Sequence, residues 1–358
     1  MKPFEDTSIL PPFLATAVGS MPHTDSRQAV DLILSNLIRA PHVPQLPMVD
    51  PREQMWIQYS EGLPAFKVDL ENLKYYFDTE ADGTAEAERF YTDFLAVDDG
   101  AAADSFAIGP DYARGCAVLR ERLRSCGEKP DFVKVQVTGP LSFALTVTDE
   151  VGKPIFYHPV FRDIAVKGMG LKAAWLVEQF KPLAKSVIVF FDEPILSAFG
   201  SSAFLGVSRT DVVDSLNEVI SMAVRAGGIP GVHCCGNTDW GILMETETRI
   251  INFDAVDYMH TVALYPEGLN RFLAGGGVLA WGAVPNTERI MSETMDDVLG
   301  RIQEGVRLLT GAGVNGDLLK DKIIVTPACG CAGLTMEHTE RVYEILAELG
   351  ARVSHLDV

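Results

Sequence analysis

The sequence has no apolar run near the roughly 20 residues that cross a bilayer. Its longest, Ser186–Phe191, suits a buried strand instead. A basic patch is missing too: 30 Lys and Arg stand against 49 Asp and Glu, a net charge of −19 over 358 residues. Such a surface repels nucleic-acid phosphates and anionic membranes, so neither is expected as a partner. The first residues, Met-Lys-Pro-Phe-Glu-Asp, lack the basic-then-apolar order of a signal peptide, and a cytoplasmic location is expected. No low-complexity tract or Ser/Gly linker divides the chain, which reads as one domain over residues 1–358. No Gly-x-Gly-x-x-Gly follows an early strand, which leaves a dinucleotide fold without support. Six cysteines are too few for a disulfide scaffold. Cys116 and Cys126 stand apart and read as small buried hydrophobes. Cys234 and Cys235 are adjacent, and Cys329 and Cys331 are two apart, spacings that suggest metal or reactive thiols.

What recurs along the chain is a short apolar segment, a polar or Gly/Pro break, then a longer amphipathic segment. Candidate strands are Phe13–Val18, His42–Pro47, Ser105–Ile108, Phe132–Val137, Val187–Phe191, Ile229–Cys235, Ile250–Phe253, Val278–Trp281 and Ile323–Thr326. Helical patterns fall at Asp25–Ala40, Phe161–Phe180, Thr210–Ala226, Glu293–Leu309 and Met336–Leu349, with Thr24 and Thr210 as candidate N-caps. This alternation predicts an α/β fold with a parallel sheet, and a (β/α)8 TIM barrel is expected. A closed barrel takes eight strands; of the nine candidates, Ser105–Ile108 is the weakest.

The barrel is favoured over an open sheet by where polar residues fall. Gly19-Ser20-Met21-Pro22-His23, Thr138-Gly139-Pro140, Asp192-Glu193-Pro194, His233-Cys234-Cys235, Asp254 and Pro327-Ala328-Cys329-Gly330 each sit at or just past a strand's C-terminal end. In a barrel all those ends open on one face, whereas an open sheet gathers only those at its switch point.

His233 and Cys235, two apart at a strand end, point to one side, and Cys234 points to the other. An imidazole and a thiolate so placed can share a metal ion, and Cys329 offers a third soft ligand. One His and two Cys suit Zn²⁺, and three protein ligands with an open position is the catalytic arrangement. An open position can take a substrate thiol and keep it deprotonated, the form that attacks electrophiles. Group transfer to a thiol is the expected chemistry. Zinc-hydroxide hydrolysis, which needs a nearby general base, and a non-catalytic zinc carrier are the alternatives.

The segments Ala17–Pro22, Val137–Pro140, Phe191–Pro194, His233–Cys235 and Pro327–Gly330, in that order, resemble the C-terminal catalytic barrel of cobalamin-independent methionine synthase. That superfamily includes uroporphyrinogen decarboxylase and the zinc methyltransferases that act on corrinoid proteins. The resemblance implies His233, Cys235, Asp254 and Cys329 as zinc ligands. It implies Val18 and Ser20 as holders of a homocysteine carboxylate and Asp192 as partner of its amino group. Gln58, or Glu61 nearby, takes the place of a substrate-binding glutamate after the second strand. His23 is a candidate pocket residue, while His42, His158, His260, His338 and His355 read as surface or capping residues.

The chain departs from the pattern in three ways. It leaves no room for the family's additional N-terminal barrel, its second-strand glutamate is replaced, and Gly282–Asn286 lacks the histidine that donates a proton to the folate. The expectation is therefore a short barrel that takes a methyl group from methylcobalamin on a corrinoid protein. A decarboxylase of the uroporphyrinogen type is a rival, but arginines are not concentrated in the strand-end motifs.

Overall fold

The computed structural model of the protein describes residues 10–201 and 205–352; the N-terminal hexapeptide and His355 lie outside them. The strands are β1 (Phe66–Asp69), β2 (Lys74–Phe77), β3 (Phe132–Thr138), β4 (Thr148–Asp149), β5 (Ser186–Asp192), β6 (Gly228–Cys234), β7 (Ile250–Asp254), β8 (Val278–Val284) and β9 (Ile323–Pro327). Six of them form one sheet in the order β3-β5-β6-β7-β8-β9, with every neighbouring pair parallel. A small second sheet pairs β1 antiparallel to β2, and β2 parallel to β4.

Every residue of β3 is buried, as expected of a parallel strand covered on both faces. Val133, Val135 and Val137 join the large core beneath the helices, whereas Phe132 belongs to a separate inner cluster with Leu14, Ile188, Phe190, Ile250, Val278, Ala280 and Ile324. The two-residue period of a strand then carries Lys134, Gln136, Thr138, Asp192, His233, Asn252 and Thr326 onto that inner face. The interior is apolar at the strand starts and polar towards their ends.

Two candidate strands are not regular strands. Within Phe13–Val18 only Ala15 forms a bridge, with Val325 of β9; within His42–Pro47, His42 bridges Lys134 of β3 and Gln45 bridges Ser20, all in parallel. These segments therefore run along the two open edges of the six-stranded sheet and meet each other. Prolines explain the irregularity of the second: Pro41, Pro44 and Pro47 lack the N–H that a continuous ladder needs. Ser105–Ile108 is no strand at all, because a 3-10 turn occupies Ala103–Phe106.

The five predicted helices are all present, at Ser26–Asn36, Pro159–Phe180, Arg209–Ala226, Met295–Gly311 and Met336–Arg352. Their caps differ from expectation: Asp25 rather than Thr24 accepts from the first turn, and Ser208 rather than Thr210 closes a capping box with Asp211. Among the described residues no helix is long and apolar enough to cross a membrane. Of the two isolated cysteines, Cys116 is buried as expected, but Cys126 is exposed just past a helix end.

Candidate metal centre

His233 lies near the end of β6 with Cys235 just beyond it, and Cys329 lies two residues past the end of β9. Two strands separate β6 from β9 in the sheet, yet one ligand atom from each of the three residues lies within 4.8 Å of the others. His233 Nε2 is 3.6 Å from Cys329 Sγ. A tetrahedral ion about 2.3 Å from sulfur and about 2.1 Å from nitrogen sets those atoms roughly 3.6 Å apart. Donor set and spacing fit zinc. Cys234 faces outward into the core, where burial pushes its thiol up to about 12, so it is a packing residue.

The two thiols differ sharply. A hydrogen bond from Cys329 brings the Cys235 thiol down to about 4 against the cost of burial, and His233 adds to the effect. Cys329 is driven upward, first by that same bond and then by burial. Cys235 is thus the more acidic of the two thiols. Burial works to lower His233, but its bond to Cys235 and the nearby Asp192 carboxylate outweigh this and raise it.

Asp254 is outside this triangle. Its Oδ1 accepts from the backbone N–H of Val256 at 2.8 Å and of Asp257 at 3.1 Å, capping the turn after β7. Burial raises its carboxyl, and Cys235 is close enough to add to the rise.

Asp192 pairs in register with His233 across β5 and β6. Its Oδ1 is shut off from solvent and has no hydrogen-bond partner among the described residues. Burial raises its carboxyl, while the Lys134 ammonium and His233 oppose the rise. An unsatisfied buried acceptor costs about 1–3 kcal/mol, which a cationic ligand would recover. The neighbouring Glu193 is fully engaged elsewhere, since it accepts from Leu141 N and Ser142 N and caps the helix at Pro140–Thr146.

Lys134, which the sequence did not single out, is fully buried on β3. Its ammonium donates to the Val18 carbonyl and, at 3.2 Å, to Gln136 Oε1, and it sits 4.7 Å from the Phe190 ring centre. Burial brings it down to about 8. Its signal was a lysine alternating with Gln136 and Thr138 in an otherwise apolar strand. Asn252 was also missed, and it hydrogen-bonds His233.

Val18 and Ser20 reach the same end of the six-stranded sheet. The Ser20 carbonyl accepts from Cys331 N at 2.8 Å, and a side chain at Gly330 would run into Ser20 Oγ and displace that hydroxyl. Gly19 has φ +146, and a Cβ there would press on the Gln136 amide at 2.6 Å.

Gln58 is on a short helix, Met55–Gln58, with both ends of its amide engaged. It accepts from Gln45 Nε2 and donates to the Tyr112 carbonyl, each at 2.8 Å. Glu61 accepts from Gly109 N at 2.6 Å. His23 is buried, and its Nδ1 has no partner among the described residues. Of the histidines read as surface or capping residues, His260 is exposed, His158 pairs with Asp149 at 2.9 Å, and His42 is fully buried against Tyr343, contrary to expectation.

No protein-family profile and no curated protein sequence matches the chain. Its fold is similar to that of a B12-independent methionine synthase from Shewanella sp. W3-18-1, solved in complex with selenomethionine, with a TM-score of 0.57 at 14% identity over 96% of this chain and 98% of that one. It is also similar to a methyltransferase from Methanosarcina mazei, with a TM-score of 0.56 at 14% identity over 96% of this chain and 94% of that one.

Proposed function

We propose that this protein is a zinc-dependent methyltransferase whose acceptor is the thiol of homocysteine or a similar small amino acid. The observation that carries the reading is the His233–Cys235–Cys329 triangle with the unpartnered Asp192 oxygen beside it. In this reading the chain is one (β/α)8 barrel, with the 13–18 and 42–47 segments completing the six-stranded sheet. The fold it shares with a methionine synthase and a methyltransferase supports the same chemistry.

A zinc ion held by the three residues would supply a fourth position at which a substrate thiol stays deprotonated and nucleophilic at neutral pH. The chain's own residues orient the rest of the acceptor. Asp192 pairs with its ammonium group and so satisfies the buried oxygen. Backbone at Val18 and the Ser20 hydroxyl hold its carboxylate, and the Lys134 ammonium on the Val18 carbonyl places a positive charge beside them. Gln58 keeps Gln45 against Ser20, and Asp254 serves as an outer carboxylate next to Cys235.

For the donor, methylcobalamin on a corrinoid protein fits the lack of an acid. A methyl group on a folate nitrogen leaves only when that nitrogen is protonated, and Gly282–Asn286 holds no histidine. Asn286 there donates to the Gly330 carbonyl instead. A second reading, a cobalamin-free donor, is favoured by the B12-independent synthase whose chain is matched over 98% of its length.

Metal analysis should find near-stoichiometric zinc, lost in Cys235→Ser and in Cys329→Ser but kept in Asp254→Asn. Zinc-edge absorption should gain a sulfur neighbour when homocysteine is added. Methionine should form from methylcobalamin and not from 5-methyltetrahydrofolate. Full zinc in both cysteine variants would overturn the ligand assignment, and turnover with the folate alone would overturn the donor.

A further inference from the structure

The Nδ1 atom of His233 meets Asn252 Oδ1 at 2.6 Å. Asn252 is fully buried in the middle of β7. Its amide orientation is settled by its other end. Asn252 Nδ2 donates to the Ala280 carbonyl on β8 at 2.8 Å and to Thr326 Oγ1 on β9 at 2.9 Å. A carbonyl can only accept, so the NH2 must face Ala280 and the oxygen must face the imidazole. An oxygen against a ring nitrogen requires the hydrogen to be on that nitrogen. In the neutral ring Nε2 is then the bare one, and it faces Cys329 Sγ at 3.6 Å.

We propose that Asn252 is a positioning residue that locks His233 as the Nδ1–H tautomer, with the Nε2 lone pair turned towards Cys235 and Cys329. The three-ligand triangle is therefore formed before any ion arrives. The inference deepens the function proposed above and rests on it for the ligand role of His233, but not for the tautomer. One amide joins a ring on β6, a carbonyl on β8 and a hydroxyl on β9, and Thr326 precedes Cys329 by three residues. Asn252 thus ties the histidine half of the site to the strand that carries the distant cysteine.

The residue type follows from charge. An aspartate would also accept from Nδ1, but its second oxygen would face the Ala280 carbonyl. It would also add a carboxylate to a buried site that already holds Asp192, whose Oδ1 has no hydrogen-bond partner among the described residues. An uncharged acceptor orients the ring without either cost. A leucine of similar volume would leave Nδ1–H without a partner and free the ring to adopt the other tautomer. Loss of such an outer partner typically weakens metal binding by roughly 10–100-fold.

The test uses the full chain with ¹⁵N-labelled histidine, and long-range ¹H–¹⁵N correlation of the metal-free protein at alkaline pH. The His233 signal is assigned by its absence in His233→Gln. The expected result is a protonated Nδ1 and a bare Nε2, with that preference lost in Asn252→Leu. Zinc affinity, read by competition with a chromophoric chelator, should fall roughly 10–100-fold in the same variant. A protonated Nε2 in the unmodified protein would overturn the proposal, and that reading needs no variant to fold. Asn252→Leu with both tautomer and affinity unchanged would overturn it too. The expected tautomer in a protein that binds no zinc would support the role of Asn252 and overturn the proposed function.

Discussion

Two buried histidines of this protein are pushed in opposite directions by their neighbours. His233 is raised by a thiolate and a carboxylate, whereas His42 is brought down to about 3, first by burial and then by the Lys134 ammonium, against the Val43 carbonyl. Its ordinary value is 6.5, so on acidification the unfolded chain takes up a proton that the folded ring refuses. The stability this represents is complete above pH 6.5, declines below it and is lost by about pH 3. A shift of that size corresponds to something on the order of 5 kcal/mol. His42→Gln should therefore flatten the fall in urea midpoint between neutral pH and about pH 4, at some loss of stability at neutral pH. Parallel curves for parent and variant would assign the acid sensitivity elsewhere. Little of this was legible locally. The segment from His42 reads as a strand and His42 itself as a surface or capping residue, and what buries it is Tyr343, 301 residues on, whose hydroxyl is 2.5 Å from Nε2.

At the scale of elements, helices were legible and their ends were not. The apolar period placed a helix near Thr210–Ala226, but the chain enters it at Ser208, whose hydroxyl accepts from Asp211 N at 3.1 Å while Asp211 reaches back to Ser208 N at 2.9 Å. That box satisfies two donors that the first turn leaves open. Ser208→Ala should cost about 1 kcal/mol in chemical denaturation, and Thr210→Ala should cost less. The converse result would return the cap to Thr210. Strands divide in the same way. β3 and β5 to β9 announce themselves as short, mainly apolar runs between two covered faces, whereas the segments at 13–18 and 42–47 make only bridges. Phe13 with φ +57 and the spaced prolines forbid a regular ladder there, so their places depend on β9 and β3 rather than on their own pattern.

Over the whole molecule, the His233–Cys235–Cys329 triangle joins β6 to β9 across half of a sheet whose cohesion comes from two apolar clusters. Bound zinc at a hundredfold excess over its Kd would stabilise by roughly 2.7 kcal/mol, a modest addition to such a core. Chelation should therefore lower Tm by a few degrees and leave the far-ultraviolet circular dichroism at room temperature unchanged. Collapse of that spectrum would make the ion part of the fold itself.

The sequence by itself determined the alternation of strand and helix, and with it a parallel sheet whose ends share one face. It also singled out His233, Cys235 and Cys329, because reactive side chains just past apolar strands are conspicuous in one dimension. Tertiary structure alone decided which of these meet. Cys329 comes within 3.6 Å of His233 although 96 residues separate them, while Asp254, expected beside them, turns to its own backbone. It also decided the roles of Lys134 and Asn252. A polar residue inside an apolar strand looks like an interruption until the sheet shows what it faces. Period-two alternation says that such a side chain points inward, and only the register between strands says what it meets there.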